Sequence, residues 1–292
     1  SKRLFSEIKM SNVDQKIHNP AADALILAAR KKFERGDSPG AASTVATILE
    51  RWPNNPGGNE LQAQLLYQKG DMPGAAEYLV RAATNEDGNP ELHINCGSIL
   101  NLLGRYAEAE AALRHAIELN PQLAEAHCAL GVALEGQKKF QDAYNALNQS
   151  LLIRPNYIQA FINLGNLELK MGEPLKAIEH YAAAVRLEPG SAIARTNLGT
   201  ALRHARAFDE ALVQCHEATI SDPMYADGWN ALGQIHREIA NYPAATEAFL
   251  KAISIKTGFI AARANLAGIY FQTKQLDLSI KAYTKLLDIA PN

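Results

Sequence analysis

The chain has 292 residues, 47% of them hydrophobic, and a formal net charge of −2. This near-neutral charge excludes a general electrostatic affinity for nucleic acid or for an anionic membrane surface. No apolar run approaches the roughly 20 residues that cross a bilayer, and the N-terminus lacks the apolar stretch of a signal peptide. We therefore expect neither nucleic acid nor a membrane among its partners.

Residues 1–21 precede the repeating part of the chain and are predicted to form an N-terminal arm or a capping helix. Leu4, Phe5, Ile8 and Met10 supply enough apolar surface for a short helix that packs on the residues after it. A disordered arm, or an arm that docks on a neighbouring copy of the chain, is equally compatible with the sequence.

From residue 22 onwards the chain repeats every 34 residues. The column through Gly165 contains only small residues, the column through Ala177 likewise, and the column through Tyr181 only apolar ones. The column through Pro189 has proline at five of its other seven positions, which are Pro53, Asp87, Pro121, Pro155, Pro223, Thr257 and Pro291. Small residues let two helices approach closely, larger apolar side chains fill the space beside them, and proline ends the second helix.

The central unit, residues 158–191, indicates what each copy forms. Its first amphipathic helix is predicted from about Ile158 to Met171, Gly172 marks a turn, and Pro174 opens the second helix. One such hairpin is too small to bury its own apolar face. It therefore needs a copy of itself on each side.

The period and the columns resemble the tetratricopeptide repeat family, whose units are helical hairpins of 34 residues. The resemblance covers residues 22–292 and implies an all-α fold, a right-handed α-solenoid or superhelix of eight helix-turn-helix units. Asp87 and Thr257 replace the closing proline, so we expect looser turns there. The predicted units are residues 22–55, 56–89, 90–123, 124–157, 158–191, 192–225, 226–259 and 260–292.

Three cysteines favour reduced, buried thiols over a disulfide scaffold, which makes the cytoplasm the expected compartment. Cys96 and Cys215 lie in core columns. A zinc site of His93, Cys96, His127 and Cys128 is the alternative, but the column of Cys96 holds leucine in most other units. We therefore expect no metal and no cofactor.

No catalytic motif is complete in this sequence. The segment from Gly131 to Gln137 lacks the lysine and the hydroxyl residue of a phosphate-binding loop. The segment that begins at His216 has Ile220 where a zinc protease needs its second histidine. We therefore predict that these residues are not themselves an enzyme.

A polar stripe follows the first helices of the units. In the central unit it consists of Gln159, Asn163, Asn166 and Lys170, whose spacing places them on one helix face away from the core. Asparagine is a mediocre helix former, so its recurrence in the middle of helices requires a reason. The predicted peptide-binding residues are Asn95, Gln159, Asn163, Asn166, Lys170, Asn197, Thr200, Arg203, His204, Asn230, Gln234, Arg237, Asn265 and Gln272.

The family resemblance implies that the first helices line a concave groove. The row of carboxamides is similar to the asparagine ladder of the repeat region of O-GlcNAc transferases, and could hold the backbone of an extended peptide. Lys170, Arg203, His204 and Arg237 would add positive charge that favours an acidic segment or a free carboxylate. The alternative interpretation of the stripe is a hydrated helix face with amide bonds between repeats.

Three functional hypotheses follow. The first is a non-catalytic protein-interaction module that binds an extended peptide or an unstructured protein segment in its groove. The second is the substrate-recruiting region of a larger glycosyltransferase, sulfotransferase or hydroxylase with a catalytic domain C-terminal to this segment. The third is self-association through the N-terminal arm or the last unit, where Leu278, Ile280 and Tyr283 are expected to be exposed.

The carboxylate clamp of chaperone-binding repeats fits this sequence poorly, because Ile162, Asp227 and Ala231 stand where the clamp needs cationic side chains.

Overall fold

A computed structural model describes residues 19–86 and 88–289 of the chain. Within these ranges there are sixteen helices and no strand, as the all-α prediction requires. In chain order the helices are α1 Pro20–Glu34, α2 Ser38–Arg51, α3 Pro56–Gln68, α4 Met72–Asn85, α5 Pro90–Leu102, α6 Tyr106–Leu119, α7 Ala124–Gly136, α8 Phe140–Ile153, α9 Ile158–Lys170, α10 Pro174–Leu187, α11 Ala192–His204, α12 Phe208–Ser221, α13 Ala226–Glu238, α14 Tyr242–Ile255, α15 Ile260–Gln272 and α16 Leu276–Ile289.

Two helices fall within each 34-residue period, so odd-numbered helices are first helices and even-numbered helices are second helices of a hairpin. The chain divides into two compact units, Ser1–Pro121 and Gln122–Asn292. Helix α1 begins at Pro20, inside the predicted arm of residues 1–21. The rest of the arm, residues 1–18, lies outside the described residues.

Packing within each unit follows the order of the chain. The two helices of a hairpin pack on each other, and the second helix packs on the first helix of the next hairpin. First helices also pack on one another: α1 on α3 in the first unit, and α7, α9, α11, α13 and α15 in succession in the second unit. No pair of second helices packs comparably among the described residues. The first helices therefore form the more closely spaced side of the second unit, and in the first unit this holds for α1 and α3.

The column of small residues lies where the two helices of a hairpin cross. A Cβ added to Gly165 would lie 2.6 Å from Cζ of Tyr181, and one added to Gly199 would lie 2.4 Å from Sγ of Cys215. Contacts this short leave no room for a side chain, which explains why the column stays small. The same approach occurs at Gly97, Gly131 and Gly233, which face Leu113, Leu147 and Phe249.

The turn inside each hairpin ends the first helix with one left-handed residue. In the central hairpin this is Gly172, with φ of 79°, and the next N–H, that of Glu173, donates to the carbonyl of Glu168 at 2.8 Å. This bond is the mark of a Schellman motif. The left-handed residues are Gly36, Gly70, Gly104 and Gly172 in four hairpins, and Lys138, Arg206, Ala240 and Lys274 in the other four.

The turn between hairpins keeps its geometry without proline. Glu188, which precedes Pro189, has φ of −136° and ψ of 82°, the extended conformation that a following proline favours. Lys256, which precedes Thr257, has φ of −122° and ψ of 90°. The turn at Thr257 therefore has nearly the backbone geometry of the proline turn, and the expectation that it is looser stays a prediction. Asp87 lies outside the described residues.

A set of side-chain donors, not anticipated from the sequence, fastens these turns. Each donor lies in the first turn of a first helix and bonds to the backbone carbonyl six residues earlier. These bonds join Asn59 to Pro53 at 2.9 Å, Arg195 to Pro189 at 2.8 Å, Trp229 to Pro223 at 3.0 Å and Arg263 to Thr257 at 2.9 Å. The bond at Thr257 provides a reason why this turn holds its shape without proline.

The three cysteines are buried and unpaired. Burial raises the pKa of Cys96 and of Cys128 to about 11 and that of Cys215 to about 12. The thiols are therefore protonated near neutral pH and act as small apolar side chains, as predicted.

Two further features are absent from residues 19–86 and 88–289. No three histidine, cysteine or acidic side chains come together there as metal ligands would. None of the described helices combines the length and the apolar character that a membrane-crossing helix needs.

Candidate functional site

The first-helix face of the second unit, formed by α7, α9, α11, α13 and α15, carries thirteen of the fourteen predicted peptide-binding residues. The fourteenth, Asn95, is exposed on α5 in the first unit. On the second unit Gln159, Lys170, His204 and Gln272 are exposed. Half-buried side chains are Asn166, Asn197, Thr200, Arg203, Asn230, Gln234, Arg237 and Asn265.

Asn163 departs from the expected exposure. It is only 7% exposed, its Nδ2 donates to Sγ of Cys128 at 3.3 Å, and its Oδ1 accepts from Nε2 of Gln159 at 3.0 Å. The expectation that Asn163 is exposed is wrong, because α7 covers it. Its carboxamide joins α9 to α7, so little of it is left for a ligand.

Three further asparagines use part of their hydrogen-bonding capacity within the fold. Oη of Tyr181 donates to Oδ1 of Asn166 at 2.7 Å, and Nδ2 of Asn265 donates to Oδ1 of Asn230 at 3.2 Å. Nη1 of Arg237 donates to Oδ1 of Asn265 at 2.8 Å. The amide donors of Asn166 and Asn230 are not engaged by these bonds.

Asn197, Gln234 and Gln272 form a free carboxamide set. They lie on α11, α13 and α15, three first helices that pack in succession. None of the three makes a hydrogen bond to any other described residue, and all are at least partly open to solvent. Thr200, between them in sequence, donates its hydroxyl to the backbone carbonyl of Thr196 at 2.9 Å. On the second unit, the free carboxamide set is therefore the part of the predicted ladder that makes no hydrogen bond within the described fold.

Most positive charge on this face is already paired. Nζ of Lys170 bonds to Oε1 of Glu135, and Nη1 of Arg203 bonds to Oε1 of Glu238, each across two adjacent first helices. The positive charge predicted for Lys170 and Arg203 is therefore partly compensated by carboxylates of the fold. Arg237 has no carboxylate partner among the described residues and is half-buried.

The histidines of this face add little charge near neutral pH. Burial lowers the pKa of His204, and the neighbouring Arg203 lowers it further. Nη2 of Arg203 lies 3.1 Å from Nε2 of His204. Nε2 of a neutral imidazole ring can accept a hydrogen bond from this guanidinium. Burial also lowers the pKa of His236. Of the four residues predicted to add positive charge, Arg237 is therefore the one whose charge has no carboxylate partner among the described residues and does not depend on histidine protonation.

A buried ion pair, not anticipated from the sequence, lies between α9 and α10. Glu168 is 2% exposed, and its Oε2 lies 2.8 Å from Nδ1 of His180. This hydrogen bond raises the pKa of His180. The sequence does mark Glu168 as unusual, because its column holds leucine in four of the other seven units. A charged residue in a column of leucines indicates a buried partner of opposite charge.

The first-helix face of the first unit, formed by α1, α3 and α5, has different chemistry. It contains an open cavity of about 540 Å³, with Phe33 and Tyr67 in its wall. The equivalent column of the second unit includes Arg203 and Arg237. At these positions the first unit thus has aromatic side chains where two hairpins of the second unit have arginine.

Sequence profiles of one repeat family match most of the chain. A profile described as TPR repeat matches residues 97–138. Profiles described as tetratricopeptide repeat match residues 26–90 and 162–215, and residues 124–157, 226–258 and 260–292.

Two curated proteins show similarity over part of their length. The chain is 32% identical over 89 residues to the heat-shock protein cognate (HSC) co-chaperone sgt12 of Aspergillus fumigatus, which covers 30% of this chain and 26% of that protein. It is 25% identical over 270 residues to the protein O-mannosyl-transferase TMTC3 of Homo sapiens, with 74% of this chain and 29% of that protein covered. The chain therefore spans less than a third of the length of either relative.

Solved structures show the same fold. A tetratricopeptide repeat protein from Parabacteroides merdae matches with a TM-score of 0.71 and 16% identity, over 85% of this chain and 98% of that one. The APC/C hetero-tetramer Cut9–Hcn1 matches with a TM-score of 0.67 and 18% identity, over 100% of this chain and 56% of that one. At these identities the likeness concerns the fold alone. Together with the profile matches and the eight α-helical hairpins, it shows that the chain belongs to the tetratricopeptide repeat family.

Proposed function

We propose that this chain is a non-catalytic protein-interaction module that holds an extended segment of a partner protein on the first-helix face of its second unit. The observation that carries the proposal is the free carboxamide set, Asn197, Gln234 and Gln272, on three successive first helices. The other amides of this face form hydrogen bonds within the fold. These three side chains do not bond to any other described residue, so they are suited to bind an external partner.

The chemistry of a carboxamide matches that of a peptide backbone. Each carboxamide offers one acceptor oxygen and two N–H donors, so it can bond to the C=O and N–H groups of a chain whatever its side chains are. An extended chain advances about 3.3 Å per residue, and packed helices lie about 8–10 Å apart. Successive first helices would therefore contact about every third residue of the bound segment.

Arg237 gives the bound segment a preferred charge. Its guanidinium donates to the neutral Oδ1 of Asn265, so its positive charge is not compensated by a carboxylate of the described residues. A charge-assisted hydrogen bond to a carboxylate is stronger than one to a neutral acceptor. The preferred partner segment therefore has an acidic side chain or a free C-terminal carboxylate near Arg237.

A second candidate function is supported by the similarity to the transferase TMTC3, which extends over 270 residues of the alignment but only 29% of that protein. In that case the same face would recruit a protein substrate for a catalytic domain elsewhere in a longer polypeptide. The similarity to the co-chaperone sgt12 instead favours an adaptor. Sequencing the coding region beyond Asn292 distinguishes the two, since a following catalytic domain would favour the enzyme.

The proposal is tested by selecting peptides from a displayed library of disordered protein segments and measuring their affinity by fluorescence anisotropy. The double variant Asn197→Ala, Gln234→Ala is expected to weaken binding about tenfold or more, because two hydrogen bonds of about 1 kcal/mol each are lost. Arg237→Gln is expected to weaken acidic peptides selectively and to reduce the salt dependence of their affinity.

Gln149→Ala is the matched control, since Gln149 is an exposed carboxamide on the second helix α8 with no hydrogen-bond partner among the described residues. It should leave affinity unchanged. Selected peptides that bind the double variant as tightly as the unmodified chain, or that lose as much affinity with Gln149→Ala, would overturn the proposal.

A further inference from the structure

The cavity of the first unit arises where first helices are less tightly packed. Helix α1 packs on α3, but α3 and α5 do not pack to a similar extent. The open space of about 540 Å³ between them lies within the size range of ligand pockets in proteins and can hold several apolar side chains. Its apolar walls are formed by Phe33, Ala63, Tyr67, Leu79, Ile99 and Leu102.

Two wall residues present large apolar surfaces to solvent. Tyr67 is 51% exposed and Leu102 is 69% exposed. Their columns are charged at several positions of the second unit, where Arg203 and Arg237 align with Tyr67 and Lys170 aligns with Leu102. Contiguous exposed apolar surface in columns that are charged elsewhere is typical of an interaction site.

The polar groups around the cavity suit a peptide. The carboxamides of Gln64 and Asn95 line it and have no hydrogen-bond partner among the described residues. The carboxylate of Glu60, the charged group of the lining, is paired with Arg30 at 2.8 Å. The site therefore offers backbone-binding amides beside an apolar hollow, without an uncompensated charge in its wall.

We propose that this cavity is the docking site of the chain's own N-terminal segment, residues 1–18, with Leu4, Phe5 and Ile8 as the apolar side chains that enter it. The charges are complementary. Residues 1–18 contain four basic and two acidic residues, a net charge of +2, whereas residues 19–121 contain nine basic and thirteen acidic residues, a net charge of −4.

The segment is long enough to reach the cavity of its own chain. Phe33 lies 14 residues from Asn19 along α1, about 21 Å at 1.5 Å per residue, and neighbouring helices lie about 8–10 Å apart. The 11 residue steps from Ile8 to Asn19 span up to about 36 Å when extended. Docking within one chain therefore needs no second molecule, and it would make the cavity unavailable to other partners while the segment is bound.

Photo-crosslinking of the full chain tests this proposal. The photoreactive residue p-benzoylphenylalanine is introduced by Phe5→p-benzoylphenylalanine, and the cross-linked peptides are mapped by mass spectrometry after irradiation. We expect cross-links to residues 60–68 and 95–102 in a product of monomer mass. Leu102→Gln is expected to lower their yield about tenfold, the effect of losing one buried leucine contact.

The control is Leu152→Gln, because Leu152 is a 75% exposed leucine on α8 in the second unit. It should leave the yield unchanged, and thermal melting should show that both variants keep their fold. Cross-links that map outside the cavity, or that persist with Leu102→Gln, overturn the proposal. A product of dimer mass also overturns it and assigns the cavity to a second copy of the chain. Neither result depends on Asn197 or Gln234, so this test is separate from that of the proposed function.

Discussion

Four single residues adopt a backbone conformation that their side chains disfavour. Lys138, Arg206, Ala240 and Lys274 have φ between 58° and 63°, where four other hairpins have glycine. The left-handed region costs a residue with a Cβ roughly 1 kcal/mol or more relative to glycine. The turn holds because its hydrogen bonds are the same in every hairpin. At Ala240, for example, the following N–H, that of Asn241, donates to the carbonyl of His236 at 2.8 Å.

Ala240→Gly is therefore expected to raise the free energy of unfolding by about 0.5–1 kcal/mol, since relief of the left-handed strain exceeds the added entropy of the unfolded chain. Urea unfolding followed by circular dichroism measures the change. The control is Ala111→Gly, in the interior of α6 on an exposed position, which should lower the free energy by up to about 1 kcal/mol. A loss of stability with Ala240→Gly would contradict the interpretation.

Whether a carboxamide of the predicted ladder forms a hydrogen bond within the fold also differs from residue to residue. Asn163 and Asn197 share a column, yet Asn163 is bonded to Cys128 and Asn197 is free. The residue 35 positions before Asn163 is Cys128, an acceptor, whereas the one before Asn197 is Ile162, which cannot form a hydrogen bond. Periodicity alone predicts which face a side chain occupies, but its partner is set by the neighbouring repeat.

At the scale of the element, the same spacing explains the paired charges. Glu135 lies 35 residues before Lys170, and Glu238 lies 35 residues after Arg203. Both pairs are visible in the sequence as opposite charges 35 positions apart. The length of each helix and the position of its turn were predictable because proline, glycine and the small-residue columns act locally. The hydrogen bonds of Asn59, Arg195, Trp229 and Arg263 were not predictable from residue type, since these four side chains share only an N–H donor.

The α9–α10 hairpin differs from its neighbours in the charge of its core, which makes its stability depend on pH. The hydrogen bond that Nδ1 of His180 donates to the carboxylate of Glu168 raises the pKa of His180 above its ordinary value, about 6.5 in an unfolded chain. A raised folded-state pKa contributes stability that is fully present below the unfolded pKa and is lost as the pH rises through the folded pKa. Relative to His180→Gln, the unmodified chain should therefore lose stability as the pH rises above about 6.5 and through the raised folded-state pKa of His180.

Urea unfolding of the two proteins at several pH values measures the difference in their free energies of unfolding. The other histidines are common to both proteins, so their contribution to the pH dependence cancels in this difference. In the Glu168→Gln background, His180→Gln should no longer produce the same pH dependence, because the partner that raises the pKa is gone. A difference between the two proteins that is constant from pH 6 to pH 8.5 would show that the ion pair does not titrate as described.

At the scale of the whole molecule, the fold could be predicted because every hairpin meets nearly the same environment. Contacts within each unit run between helices that are one or two positions apart along the chain. A pattern that recurs every 34 residues therefore specifies both the hairpin and its neighbour. The apolar cavity beside Tyr67 and Leu102 could not be predicted in this way, because it depends on how closely α3 and α5 approach.

Because contacts are local along the chain, a destabilising substitution in one hairpin should affect mainly that hairpin and its neighbours. Gly199→Ala places a Cβ 2.4 Å from Sγ of Cys215 and is expected to cost about 1–2 kcal/mol net, whereas Gly268→Ala meets open space and should be neutral or slightly stabilising. We expect the stability of the chain to be a sum of contributions from single hairpins and from neighbouring pairs. Gly199→Ala should then increase amide hydrogen exchange most in its own hairpin, α11 and α12, and less in the two neighbouring hairpins, α9–α10 and α13–α14. Exchange in α1 to α4 should hardly change. Hydrogen-exchange mass spectrometry of the two variants measures this gradient, and an equal increase in all sixteen described helices would instead show that the chain unfolds as one cooperative body.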